Sequence, residues 1–296
     1  MKTHLLALWA VSLLFSCQSR PADQKFDGEK IVYEPEDREI LEQVFDRCSS
    51  DQETPVSALM VKVGSFFLET PYVAHTLEKE EEQLVINLRE MDCTTFAENC
   101  LAISRTIQGG NPTFEQFARE LQFIRYRGGK VDGYPSRLHY FCDWIYDNQE
   151  KKVIEDLSEE MAHTPLHKEI NFMSTHPESY QQLQGSAPLV EVMAAQEKEI
   201  SARKLFYIPE SGIAGLEGQL MDGDIAGITT QVEGIAIQHV VLLIRKEGHI
   251  HLLHASSKAG KVAISENTLE EYLLANGSAS GIMLARPRSP GVPSDG

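Results

Sequence analysis

Three side chains in this sequence have the chemistry of a nucleophilic site. Cys93 stands in Met91-Asp92-Cys93-Thr94-Thr95-Phe96, and two histidines follow on strand-like segments. These are His239 in Ile237-Gln238-His239-Val240-Val241 and His254 in Leu252-Leu253-His254-Ala255-Ser256-Ser257. The thiolate is the reactive form of cysteine, and a helix N-terminus or a neighbouring imidazolium lowers the thiol pKa. An imidazole beside the thiol can take its proton and return it to a leaving amine. A second polar group that accepts the first ring's other N–H fixes its tautomer, and His254 has that capacity. The N–H of Cys93 and a neighbouring amide are candidates to hold an oxyanion. Singly these residues are unremarkable, because a lone cysteine on an apolar helix stripe is usually a core residue.

The elements around them must supply the geometry. From residue 95 to 107, Phe96, Cys100, Ile103 and Ile107 recur at three- and four-residue steps, and Cys93 lies on the same stripe. Asp92, Thr94 and Thr95 are all candidate N-caps, and Gly109-Gly110 ends the helix. Side chains alternate faces along a strand. One face of the His239 strand carries Ile237, His239, Val241 and Leu243, and the other carries Gln238, Val240, Leu242 and Ile244. Both faces are apolar, which predicts a central strand covered on both sides. In the next strand Ile250, Leu252 and His254 share a face, while His249 and His251 point the other way. Parity therefore selects His254 as the partner of His239. It also separates His249 and His251 from that pair, which argues against a metal site; no metal and no cofactor are expected.

The remaining pattern predicts an α+β fold. Helices are expected near 36–49, 55–68 and 113–124, with a turn at Glu69-Thr70-Pro71-Tyr72 and a solvated acidic run over 78–82. Residues 147–203 are rich in Glu, Gln and Lys and read as a helical insertion. Strands are expected at 224–228, 234–246 (turning at Gly248) and 250–254, then a capped helix at 267–274 and a last strand at 281–286. Helices followed by sequential short strands imply an antiparallel sheet. One catalytic domain is expected over 31–287, followed by a disordered tail over 288–296.

Composition narrows the class of partner and compartment. The net charge of −17 argues against nucleic acid. The apolar run 5–15 has the length of a signal-peptide core and is too short to span a membrane. It ends in Leu14-Phe15-Ser16-Cys17, which resembles a bacterial lipobox. Residues 1–17 are thus expected to be a lipoprotein signal with a lipid anchor at Cys17, and 18–30 a linker. The localisation expected is exported, periplasmic or outer-membrane-associated. Export permits disulfides, but Cys48, Cys93, Cys100 and Cys142 form no readable framework. Cys100 lies two turns beyond Cys93, about 10 Å along a helix axis and too far to bridge, and Cys100 and Cys142 are expected to be buried apolar residues.

The segments resemble the NlpC-type, papain-like cell-wall cysteine hydrolases. The motifs are Asp92-Cys93-Thr94, Gly223-Asp224-Ile225, His239-Val240 and His254-Ala255-Ser256. Thr70-Pro71-Tyr72, Asp92-Cys93-Thr94-Thr95-Phe96, Ile124-Arg125-Tyr126-Arg127, Ser136-Arg137-Leu138-His139-Tyr140-Phe141 and Leu253-His254-Ala255-Ser256-Ser257 are more closely similar to the N-acetylmuramoyl-L-alanine amidase-like branch. The resemblance implies a papain-like fold, with N-terminal helices carrying the cysteine packed on an antiparallel sheet carrying the histidines. It implies Cys93 as nucleophile, His239 as base, His254 as orienting residue, and a thioester acyl-enzyme formed on peptidoglycan or muropeptide at the N-acetylmuramoyl-L-alanine amide. Asp92 is implied as a substrate-binding residue, with Tyr72, Arg137 and His139 as further pocket candidates; Arg137 could instead be an ion-pair partner. Glu69 replaces an expected glycine, Ala97 a valine, and Val241 follows where glycine is common. A γ-D-glutamyl-diamino-acid endopeptidase on the same fold and a non-catalytic surface-binding lipoprotein are the alternatives. The oligomeric state is not indicated.

Overall fold

A computed structural model of the protein describes residues 31–291. The expected signal peptide, lipid anchor at Cys17 and linker, and residues 292–296, lie outside the described residues. The chain runs β1 (Ile31–Val32), α1 (Pro35–Arg47), α2 (Val56–Phe66), β2 (Leu84–Val85), α3 (Cys93–Gln108), α4 (Phe114–Arg125) and α5 (Phe141–Glu150). It continues through β3 (Ile154–Asp156), α6 (Ser158–Ala162), β4 (Thr164–Leu166), α7 (Phe172–Thr175), α8 (Ala187–Ser201), β5 (Leu205–Pro209) and α9 (Ile213–Leu216). It ends with β6 (Ile225–Thr230), β7 (Ile237–Lys246), β8 (His249–Ser256), β9 (Lys261–Thr268), α10 (Leu269–Leu274) and β10 (Ala279–Pro287). The main sheet has the order β4-β5-β10-β6-β7-β8-β9, with β3 also on β10, and all its pairings are antiparallel. The fold is thus α+β with an antiparallel sheet, as its sequence pattern predicts.

The sheet is covered on both faces. On one side Val240, Leu242, Leu253 and Ala255 join Phe96, Cys100 and Ile103 of α3 and the neighbouring helices in a large core. On the other, Val241, Leu243, Ile250 and Leu252 pack with Leu269 and Leu273 of α10. Helix α3 is the centre of the larger layer. Every residue from Thr95 to Ile107 is buried, as expected of a helix enclosed on all sides. Its buried charged groups are paired. Glu98 accepts from Arg125 Nε at 2.6 Å, Arg125 Nη1 reaches Val85 O at 2.6 Å, and Arg105 Nε meets Glu120 at 3.0 Å. Removing one partner of such a pair would cost about 3–5 kcal/mol, so α3 and α4 are fixed to each other.

Several details depart from the sequence pattern. Residues 147–203 are not wholly helical: β3 and β4 interrupt the stretch and join the sheet on β10 and β5. Short strands at a sheet border need little β-propensity, because their backbone pairing is supplied by the neighbour. Strand β9 is not expected from the sequence; its apolar alternation is confined to Val262 and Ile264 before a polar run, and pairing with β8 defines it. Ile237 leaves the face of Val241 and Leu243 for the larger core. The cause is a β-bulge, in which Ile228 pairs with His239 but Thr229 with Ile237, leaving Gln238 as the extra residue. Arg288, within the tail expected to be disordered, is tied to the fold. Arg288 N–H bonds Val153 O at 2.8 Å, its carbonyl accepts Arg105 Nη1 at 2.5 Å, and its guanidinium pairs with Glu155 at 3.0 Å.

The Gly223-Asp224 motif is a structural joint. Gly223 has φ +80°, and a Cβ there would lie 1.9 Å from Ser57 O. Asp224, fully buried, accepts Met221 N–H at 2.9 Å and pairs with Arg286 of β10 at 2.8 Å. Replacing Gly223 by Ala is expected to destabilise the fold by more than about 2 kcal/mol, since strain and a backbone clash add. Chemical denaturation measures this, and a midpoint within error of the parent protein would refute the clash.

Candidate active site

Strands β7 and β8 pair only from Leu242 opposite Leu253 to Lys246 opposite His249. Toward the other end they part: β7 continues along β6 as far as Ile237, and β8 continues along β9 as far as Ser256. Leu243 exchanges backbone hydrogen bonds with Gly223 and Asp224 on the β6 side. The even-numbered residues of β7 therefore point their N–H groups toward β8. At Val240 the β8 partner has gone, and the Cys93 thiol takes the Val240 N–H instead.

Cys93 is the first residue of α3, and Asp92 caps it. Asp92 Oδ1 accepts Thr95 N–H at 2.8 Å and the Thr95 hydroxyl at 2.9 Å, while Thr95 Oγ1 accepts Asp92 N–H at 2.9 Å. This reciprocal cap resolves the three candidates in favour of Asp92. Cys93 is half-buried and packs against the edge of the larger core. Among the described residues all four cysteines are free, and Cys48, Cys100 and Cys142 are buried.

The two histidines meet across the parting. His239 Nε2 lies 2.6 Å from His254 Nδ1, and their rings are edge-on at 70°. That bond uses one nitrogen of each ring and leaves His239 Nδ1 for another partner. His254 is buried, and the ring of Tyr272 from α10 stands edge-on to it at 6.0 Å. Tyr272 also lies within electrostatic reach of the Cys93 thiol, as does Tyr72. Tyr72 is held between β9 and the segment that leads into Cys93. Its N–H bonds Gly260 O at 2.9 Å, and Met91 N–H bonds Pro71 O at 3.0 Å. Glu69, which stands where glycine is expected, adopts φ +73° at the start of this crossing.

Arg137 and His139 serve a neighbouring buried cluster. Arg137 pairs with Glu78 at 3.0 Å and Glu82 at 3.4 Å and lies over the Tyr134 ring at 5.1 Å. Glu78 and Glu82 are therefore not simply solvated. His139 Nε2 bonds Tyr134 O at 2.8 Å. Of the other histidines, His251 Nδ1 bonds Ser265 O at 3.0 Å, and His249 lies 3.5 Å from Glu217. Among the described residues no group of three or more His, Cys, Asp or Glu could hold a metal ion.

Burial governs the electrostatics. Desolvation, then the Asp92 carboxylate, pushes the Cys93 thiol up to about 11, against the pull of the Val240 N–H. A helix N-terminus contributes at most about 2 kcal/mol, little more than one pKa unit, so it does not reverse burial. Burial, then the neighbouring His254, lowers His239 to about 3, and burial lowers His254 to about 4. At neutral pH the resting site is a thiol beside two uncharged imidazoles, and His239 is free to accept a proton.

An open cavity of about 170 Å³ adjoins the pair, lined by Gln238, His239, Ser256, Ser257, Lys258, Tyr272 and Asn276. Sequence reasoning did not find Tyr272. Its signal was the Thr268-capped helix, whose buried Leu269 and Leu273 put Tyr272 beside the stripe that faces the sheet.

The class defined here is an α+β protein with a helix-start thiol beside a histidine pair. The chain belongs to the AmiA-like, N-acetylmuramoyl-L-alanine amidase-like family, whose model matches residues 62–281. It is similar to the crystal structure of an N-acetylmuramoyl-L-alanine amidase from Bacteroides uniformis, at 37% identity and a TM-score of 0.76, covering 79% of this chain and 99% of that one. A Bacteroides fragilis structure described as a candidate xylanase is 40% identical, with a TM-score of 0.70 over 75% of this chain and 98% of that one. A Legionella pneumophila protein shares the fold at 18% identity and a TM-score of 0.65, over 86% and 97%. No curated protein matches the chain.

The buried, neutral His254 makes stability depend on pH. Its folded pKa of about 4 lies below the unfolded value of about 6.5. Its contribution is therefore complete above about pH 6.5 and is lost as pH falls, because the unfolded chain takes the proton first. Between pH 7 and pH 5 the protein is expected to lose about 2 kcal/mol more stability than the His254→Asn variant, at about 1.4 kcal/mol per pH unit. Urea titrations at the two pH values measure this, and equal losses would contradict a buried neutral ring.

Proposed function

We propose that the protein hydrolyses the N-acetylmuramoyl-L-alanine amide of peptidoglycan fragments, with Cys93 as nucleophile. The observation that carries the reading is the 2.6 Å His239–His254 bond beside a half-buried thiol at a helix start, in a chain of the amidase-like family. In this mechanism Sγ of Cys93 attacks the amide carbonyl carbon as His239 Nδ1 accepts the thiol proton. His254 orients His239 and stabilises the imidazolium that forms. The N–H of Cys93, one of the four unpaired at a helix start, faces the developing oxyanion. Collapse transfers the proton from His239 to the leaving amine and leaves a thioester on Sγ. Water, activated by His239, then releases the acyl group. Because thiol and imidazole are both uncharged at rest, proton transfer accompanies attack rather than preceding it.

Asp92 and Tyr72 are the substrate-binding candidates that adjoin Cys93. Asp92 keeps Oδ2 outside its capping bonds, both of which use Oδ1. Arg137 and His139 support the neighbouring wall in this reading. A papain-like, NlpC-type fold accords with a cysteine helix packed on a histidine-bearing sheet. Glycoside hydrolysis, which ordinarily uses two facing carboxylates, finds only Asp92 among the site residues named here.

Replacing Cys93 by Ala is expected to lower peptide release from muropeptides by more than about 10³-fold. Mass spectrometry of the digest should show intact stem peptides beginning with L-alanine. Full activity in the variant would end the mechanism, and products cut after D-glutamate would move the assignment to the endopeptidase reading. Export with a lipid anchor belongs to the same proposal and rests on the sequence ending at Cys17. Metabolic fatty-acid labelling should be lost in Cys17→Ala, and retained labelling would refute that anchor.

A further inference from the structure

The cavity beside the histidine pair is a donor-rich wall with one charge. Lys258 is the only ionised side chain among its lining residues, and no carboxylate lines it, in a chain whose net charge is −17. Two polar neighbours of Lys258, Ser256 and Asn276, have their acceptors engaged within the protein. Ser256 Oγ accepts Ala259 N–H at 3.1 Å, which leaves the hydroxyl proton to donate. Asn276 Oδ1 accepts Ser278 N–H at 3.3 Å and lies 2.9 Å from the Ser278 hydroxyl, which leaves Asn276 Nδ2 to donate. The Tyr272 phenol also remains protonated, because burial raises its pKa. What the cavity offers a ligand is one cation and several N–H and O–H groups, the complement of an anion.

The wall is also fixed relative to the nucleophile. Lys258 sits on the tight turn between β8 and β9, two residues beyond Ser256 and four beyond His254. The Ser256–Ala259 bond closes that turn, and Gly260 O accepts the Tyr72 N–H at 2.9 Å. The volume of about 170 Å³ is below the roughly 300 Å³ at which pockets for whole small ligands begin. It suits one substituent of a substrate whose reacting amide lies at Cys93.

We propose that this cavity binds the α-carboxylate of the second residue of the substrate's peptide stem, with Lys258 as counter-charge and the Ser256 hydroxyl and Asn276 Nδ2 as hydrogen-bond donors. The proposal rests on the amidase reading and adds a specificity determinant to it: the enzyme distinguishes stems with a free carboxylate from stems in which that group is amidated. Lys258 acts on binding and leaves the chemistry to Cys93 and His239, so its loss raises KM more than it lowers kcat.

The test compares N-acetylmuramoyl-L-alanyl-D-glutamate with N-acetylmuramoyl-L-alanyl-D-isoglutamine, which share the γ-carboxylate and differ only in α-carboxylate versus α-carboxamide. The parent protein is expected to favour the acid in kcat/KM by about tenfold or more, the scale of one charge-assisted hydrogen bond. In Lys258→Met the ratio should fall to within about twofold, and Lys258→Arg should restore most of it. A parent ratio near one, or the same ratio in Lys258→Met, overturns the proposal. The bond cut, read by mass spectrometry in the same reactions, tests the amidase reading separately. Should the parent cleave neither compound, calorimetric binding of the two to the Cys93→Ala protein makes the comparison. Equal affinities would overturn the proposal, and a preference for the acid that vanishes on adding Lys258→Met would sustain it.

Discussion

The site depends on the parting of β7 from β8. Two neighbouring strands in the centre of a sheet would ordinarily keep pairing, because an unpaired buried N–H costs about 1–3 kcal/mol. Here the ladder stops at Leu242 and Leu253, and the unpaired Val240 N–H is taken by the thiol at the head of α3. The same gap lets one imidazole from each strand meet at 2.6 Å. Sheet, helix and side-chain pair therefore share one geometry. Moving α3 along its axis would expose an orphan amide as well as misplace the sulfur, and the buried Glu98–Arg125 pair resists that movement.

Electrostatically the gap is dry on one side and polar on the other. Toward the helices, burial outweighs the helix end and keeps the thiol protonated. Toward α10, the wall presents hydrogen-bond donors and a single ammonium group. The thiol and the histidines are thus held uncharged at rest, beside a wall whose one ionic side chain is an ammonium group. His239 on β7 and Ser256 on β8 both line the cavity at the opening between the two strands.

Much of this was legible in the sequence because it rests on local rules. Helical spacing placed α3, and the capping residues before Phe96 placed its start. Two-residue alternation put His239 with Val241 and His254 with Leu252, and that phase holds in the structure. What escaped the sequence was set by tertiary partners. The bulge at Gln238 has no composition signal, so Ile237 was assigned to the wrong face. Strands β3, β4 and β9 exist because a neighbour offers a backbone ladder, and an acidic, glutamine-rich stretch conceals the first two. Tyr272 lies on a short helix far along the chain from Cys93, and only folding shows that it stands over His254.

The position of β10 constrains how such a protein is made. This strand is the last described element, yet it lies between β5 and β6 in the sheet. The two halves of the sheet cannot join until nearly the whole chain has been synthesised, so vectorial folding from the N-terminus can assemble the helices and the β6–β9 meander but not the closed sheet. Such non-local pairing folds slowly and leaves strand borders open while it waits. The thiol emerges long before the histidines that accompany it, and the site therefore arises only once β7 and β8 have joined the helices.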